Sequence, residues 1–173
     1  FYNTLLDASE PAVVIEPLNG YRTKERMPTN IGQFKEALGV PEIVKEGTDI
    51  TLVSYGSTFN LCEVAVQQLL ELGISVELID AQTLLPFDIN HMIVKSIEKT
   101  NRLFIVDEDV SSGATAFMLD KILVEQNAYA FLDSAPVTLS AKDHRPAYGT
   151  DGDYFSKPNT EEVIQVVKEM MAE

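Results

Sequence analysis

The chain has 173 residues, 45% of them hydrophobic and 23% charged, which suits one well-cored domain with residues to spare. Thirteen Lys and Arg against twenty-seven Asp and Glu give a formal net charge of −14, which excludes the clustered basic surface that nucleic acid requires. No run approaches the roughly 18–20 apolar residues of a membrane span, and the single cysteine, Cys62, excludes an internal disulfide.

One cysteine and no basic-then-apolar leader predict a cytoplasmic, reducing location. The first residue is Phe1 rather than Met, so an excised piece or a processed product is expected. Residues 1–16 read as the end of a helix and then a strand over residues 12–15. Pro17, Gly20, Pro28, Gly32, Gly39 and Pro41, among polar residues, give 17–41 the composition of a linker. The compact domain is therefore expected from residue 42 to residue 173.

Within it, Ile43 and Val44 suit a short edge strand, and residues 46–49 a turn into a strand over 50–55. A helix follows over about residues 58–72, with Leu61, Val64, Ala65, Leu69 and Leu72 on its apolar face and Gly73 as C-cap. Cys62 falls on that stripe and reads as an inert buried thiol. Residues 73–109 form one βαβ unit. A strand through Val76, Leu78 and Ile79 ends at Asp80, and Pro86 breaks the chain. Asp88 then caps a helix carrying Ile89, Met92, Ile93 and Ile97, and Leu103-Phe104-Ile105-Val106 makes a fully buried strand. A helix over 114–126 is predicted to bury Ala116, Leu119, Ile122 and Leu123, and residues 136–140 a last strand. The terminal helix starts at Asn159, with Glu162 three residues on, and buries Val163, Val166, Val167 and Met170. Strands alternating with helices predict a three-layer α/β/α fold around a mostly parallel sheet.

Three features are candidates for chemistry. At Tyr55-Gly56-Ser57-Thr58 a strand turns into a helix, and free N–H groups at Gly56, Ser57 and Thr58 would favour an anion. The spacing and lysine of a phosphate loop are absent, and helix capping by Ser57 or Thr58 explains the residues more simply. Asp107-Glu108-Asp109, with Asp80, suggests Mg²⁺ or, with Lys142, a phosphoacceptor. A receiver domain, however, needs an acidic pair where Tyr55-Gly56-Ser57 stand. Asp143-His144-Arg145 suggests a general base, but adjacent residues on an extended loop point apart and no nucleophile motif accompanies them. His91 is expected to be exposed. No catalytic, cofactor or metal residue is assigned.

The stretches GISVELIDAQTLLPFDI (73–89) and SIEKTNRLFIVDED (96–109), with EGTDITLVSYGS (46–57) and LDSAPVTLSAKDHRPAYG (132–149), resemble the C-terminal, transketolase-type domain of the β subunit of thiamine-diphosphate-dependent 2-oxo acid dehydrogenases. The resemblance implies a five-stranded mixed sheet with a short antiparallel first strand. It makes 1–41 the end of a preceding pyrimidine-binding domain plus linker, and 42–173 the transketolase C-terminal-like domain. It implies an assembly domain of a decarboxylating component. The parent oxidoreductase decarboxylates a 2-oxo acid, of pyruvate or branched-chain type, on thiamine diphosphate with Mg²⁺ and passes the acyl group to a lipoyl arm, its disulfide acceptor. The ring-activating glutamate and the Mg²⁺ motif belong to other domains of the family, so this chain alone is expected to hold no cofactor and to be inactive. The implied partners are an α-type subunit or domain, a second β-type subunit, and the lipoyl acyltransferase core through its basic subunit-binding domain, with Asp107, Glu108, Asp109, Asp143, His144 and Arg145 as candidate subunit contacts. Glu169 and Glu173 lie at the helix end where the macrodipole does not favour acids, which makes them candidates for that docking. Two alternatives stand beside this reading: a small-ligand or nucleotide-binding regulatory domain using residues 55–58, and the same domain from another transketolase-like enzyme such as a deoxyxylulose phosphate synthase.

Overall fold

The computed structural model describes residues 1–24, 26–145, 147–149 and 152–172. Five strands, β1 (Glu42–Lys45), β2 (Ile50–Ser54), β3 (Val76–Asp80), β4 (Leu103–Val110) and β5 (Val137–Ala141), form one sheet in the order β1-β3-β2-β4-β5. β1 runs antiparallel to β3, and the other neighbours are parallel. This is the mixed sheet with an antiparallel first strand that the family resemblance implies.

Period-two alternation splits the strand side chains between two apolar layers. On one face Ile50, Leu52, Leu78 and Phe104 pack against α2 (Gly56–Glu71) and α6 (Thr160–Met170). On the other, Val53, Ile79, Leu103 and Ile105 meet α3 (Met92–Thr100) and α4 (Ala114–Leu119). Between β1 and β2 the chain crosses β3 so closely that a Cβ on Gly47 would stand 2.2 Å from the Glu77 backbone nitrogen. Only glycine fits there, and its N–H donates to the buried Glu77 carboxylate at 3.1 Å.

Helix ends follow local chemistry. Gly73 at φ +83° terminates α2, with its N–H bonded to the Leu70 carbonyl. Asp88 accepts from the Met92 and Ile93 N–H groups at 2.7 and 3.0 Å, capping α3 from three residues ahead of the His91 N-cap. Asn159 and Glu162 form a reciprocal capping box on α6.

Several expectations need correction. The buried face of α2 is Thr58, Cys62, Ala65, Val66 and Leu69, whereas Val64 and Leu72 are exposed. The stripe rotates because Thr58 turns inward, accepting from the Ser54 hydroxyl at 3.0 Å and donating to the Tyr55 carbonyl at 2.9 Å. Neither Ser57 nor Thr58 is the N-cap of α2, a position held by Tyr55. α4 continues as a π-helix (Asp120–Glu125), and Thr115, Met118 and Ile122 are buried while Ala116 is exposed.

Residues 12–15 form no strand. The chain before Gly39 contains α1 (Tyr2–Leu6), the 3₁₀ turn Leu18–Arg22 and loops, and none of its described residues is buried. It is braced mainly by its own contacts, Asn3 to the Phe34 carbonyl at 2.7 Å and Thr4 to the Glu36 carbonyl at 2.6 Å. It joins the body where the Gly39 N–H meets the Thr83 hydroxyl at 2.9 Å and the Gly39 carbonyl accepts from Ile89 at 2.9 Å.

Candidate functional site

Open α/β sheets bind ligands outside the carboxyl ends of their parallel strands. Here those ends carry Tyr55 after β2, Asp80 on β3, and Asp107, Glu108 and Asp109 on β4. The β2–β4 register, Leu52 opposite Phe104 and Val53 opposite Ile105, sets Tyr55 opposite Asp107 two residues further on. The Tyr55 hydroxyl donates to the Asp107 carboxylate at 3.0 Å. Burial raises the Asp107 pKa, partly offset by the Tyr55 hydrogen bond. Burial and the adjacent Asp107 charge likewise raise that of Tyr55. The raised value keeps the Tyr55 hydroxyl protonated near neutral pH, as the donor to Asp107.

The other carboxylates are also engaged. Asp80 accepts from the Gln82 N–H at 3.0 Å, and burial pushes its pKa upward. Asp109 accepts from the N–H groups of Val110 and Ala114 at 2.8 and 3.2 Å, holding the turn into α4. Glu108 pairs with Lys157 at 2.9 Å; burial alone would raise its pKa, but the Lys157 ammonium holds it below the usual range. Lys157, just ahead of α6 and 49 residues away from Glu108, had no local signal in the sequence.

Gly56, Ser57 and Thr58 start α2 with Gly56 at φ +62°, and Ser57 and Thr58 line a cleft of about 500 Å³ with Leu61, Val64, Tyr154 and Lys157. Glu108, Asp153 and Glu161 also line it, so the cleft surrounds an anion with carboxylates. The loop after β5 leaves Asp143, His144 and Arg145 exposed. His144 Nδ1 lies 2.7 Å from the Arg145 carbonyl, and the Arg145 guanidinium stacks 4.8 Å from the Tyr148 ring centre. His144 thus faces backbone rather than a nucleophile, and His91 is exposed. Glu169 is exposed and accepts from Gln165 at 2.6 Å; Glu173 lies outside the described residues. Cys62 is fully buried, and burial pushes its thiol up to about 12, which makes it inert. Among the described residues no group of three or more His, Cys, Asp or Glu is placed to hold a metal, and no helix is long and apolar enough to cross a membrane.

The family described as "Transketolase, C-terminal domain" matches residues 39–159. The chain belongs to that family. Its first matched residue is Gly39, where the arm meets the body. Among similar curated proteins, the "Pyruvate dehydrogenase E1 component subunit beta" of Acholeplasma laidlawii is 32% identical over 93% of this chain and 48% of its own length. The "2-oxoisovalerate dehydrogenase subunit beta, mitochondrial" of Chaetomium thermophilum is 37% identical over 78% of this chain and 28% of its own. The chain spans about half the length of the pyruvate dehydrogenase relatives. Among solved structures, a "Split gene transketolase, inactive beta4 tetramer" superposes with a TM-score of 0.65 at 20% identity, covering 82% of this chain and 44% of that one, a likeness of fold.

Proposed function

We propose that this transketolase C-terminal domain is an assembly module of a decarboxylating 2-oxo acid dehydrogenase component. The observation that carries the reading is the state of the strand ends. Asp80, Asp107, Glu108 and Asp109 are engaged by Gln82, Tyr55, Lys157 and the turn into α4, so the positions where such a sheet would hold a ligand are spent on structure. Among the described residues these acids do not converge with others into a cluster able to hold a metal, so this donor set does not fit the Mg²⁺ of thiamine diphosphate. In this reading the cofactor chemistry, the oxidative decarboxylation and the transfer to a lipoyl arm reside in other parts of the parent enzyme. The similarity to pyruvate and 2-oxoisovalerate dehydrogenase β subunits supports that setting.

The partners in this setting are an α-type subunit, a second β-type subunit and the lipoyl acyltransferase core. Subunit contacts are assigned to Asp143, His144 and Arg145, exposed beyond β5, and to Glu108 and Asp109 at the end of β4, whereas Asp107, also a candidate from the sequence, is buried within the fold. Acyltransferase docking is assigned to Glu169 with Glu173. A reducing cytoplasm suits the single buried thiol.

Calorimetric titration with thiamine diphosphate and Mg²⁺ tests the assignment. No saturable binding tighter than about 10 μM, roughly −7 kcal/mol, is expected. Tighter binding would overturn it.

A further inference from the structure

The cleft between α2 and α5 (Gly152–Ser156) has its inner acids, Glu108 and Asp153, paired with Lys157. A second hollow of about 310 Å³, between residues 84–91 and the π-helix, holds an acid of a different kind. Asp88 there is fully buried and, among the described residues, joins no ion pair. Of the charged groups around it, His91 lies on its own loop and Lys95 of α3 is turned to the Asn90 carbonyl at 3.0 Å. Lys121 and Glu125 of the π-helix pair with each other at 2.6 Å. α4 contributes Phe117 and the arm Gly39, neither of them charged.

Asp88 is also a junction. Its carboxylate caps α3 through the Met92 and Ile93 N–H groups at 2.7 and 3.0 Å. Its carbonyl accepts from the Gln126 side chain at 3.1 Å and from the His91 N–H at 3.0 Å. The next residue, Ile89, donates its N–H to the Gly39 carbonyl at 2.9 Å, where the arm is fastened. Left-handed backbone at φ +38° for Asp88 and +54° for His91 persists only when its surroundings hold it. One group at the junction is unmatched: Gln126 Oε1 is buried and has no donor among the described residues. An ionised Asp88 has no proton to offer it, whereas a protonated one carries an O–H beside the same amide.

We propose that Asp88 is a pH-sensitive latch on the joint between arm and body, closed when its carboxyl is protonated and loosened when it is ionised. The neutral carboxyl suits the dry, closed site and completes the bonding of Gln126. The carboxylate gains most from water, which it reaches when residues 84–91 swing away from the π-helix and Ile89 releases Gly39. Burial raises the Asp88 pKa in the closed joint, and opening returns it toward the ordinary value of about 3.9. The closed form therefore holds the proton more tightly. Closing strengthens as pH falls through the raised value and weakens as pH rises above it. The latch works within the single chain, whatever assembly that chain joins.

Hydrogen exchange of the intact chain between about pH 4.5 and about pH 7.5, corrected for intrinsic rates, tests it. Protection at Ile89, Met92 and Ile93, taken relative to residues 50–53, is expected to rise at least about threefold toward the acid end. Asp88→Asn, a neutral side chain of the same shape whose N–H can meet Gln126 Oε1, should show the acid-end protection across the whole range. Relative protection that stays flat or falls on acidification would overturn the proposal. So would an Asp88→Asn chain as open at neutral pH as the unsubstituted one. If that variant does not fold, the pH series on the unsubstituted chain decides alone.

Discussion

In the body, Phe104 is fully enclosed between its sheet neighbours and the α2–α6 layer, whereas in the arm Ile15 is 86% exposed and Leu18 82% exposed. Both regions contain many apolar residues, so apolar content alone does not separate them. What separates them is partnership. Every strand of the body finds a neighbour, and its two helix layers close both faces. The arm has only its own loops and the anchor at Gly39. Apolar residues stabilise a fold when something excludes water from them, and among the described residues before Gly39 none is fully buried.

Substitutions should expose this difference, beginning in the core. Phe104→Ala leaves a cavity between two layers and is expected to cost about 3–5 kcal/mol of unfolding free energy. Denaturant titration measures it, and a cost below about 1 kcal/mol would mean that the α2–α6 face is not the packed core described here.

The buried acid on β3 gives a pH-dependent test. Burial alone would raise the Glu77 pKa, but Lys99, with help from Ser96 and the Gly47 N–H, holds it below the usual range. The unfolded chain then binds the proton more readily than the folded one. The stabilisation is present above the ordinary glutamate value of about 4.3 and is lost as pH falls through the lowered folded value. Lys99→Met removes the partner and should cost about 1–3 kcal/mol at neutral pH, discounted because Lys99 is 39% exposed. The cost should shrink on acidification, as Glu77 sheds its charge. Melts of both chains from neutral to acid pH check this; parallel curves would contradict it.

At helix α6, Asn159→Ala removes half of the capping box and should cost about 1 kcal/mol. In the arm, Ile15→Ala or Leu18→Ala in the monomer should change stability by less than about 0.5 kcal/mol, the ordinary value for surface sites. An arm substitution that matched the Asn159 value would erase the boundary at Gly39.

Much of the body was legible in the sequence because its signals are local. The βαβ unit, the Asn159–Glu162 box and Gly73 each depend on residues within a few positions of one another. Most of the failures are cases where a distant partner decides, and one, at Thr58, is a local polar contact that overrides the apolar pattern. Residues 12–15 have strand composition but no strand to pair with, and β-propensity is mostly a statement about neighbours. The α2 face rotated because Thr58, polar by type, is buried through hydrogen bonds to Ser54 and Tyr55. Val64, which helical spacing put in the core, lines an open cleft instead. At the strand ends, Tyr55 and the acid run of β4 each stood out, but their pairing needs the 52-residue offset of the β2–β4 register. The Glu108–Lys157 pair crosses 49 residues and has no local trace.

Hydrogen exchange in a proven monomer, at high salt and low concentration, measures the difference between arm and body most directly. Amides of residues 50–53, in a strand with parallel neighbours on both sides, should exchange only through global opening. Those of residues 8–37 should exchange orders of magnitude faster, at close to unprotected rates. Protection of the arm equal to that of β2 in the monomer would contradict the account.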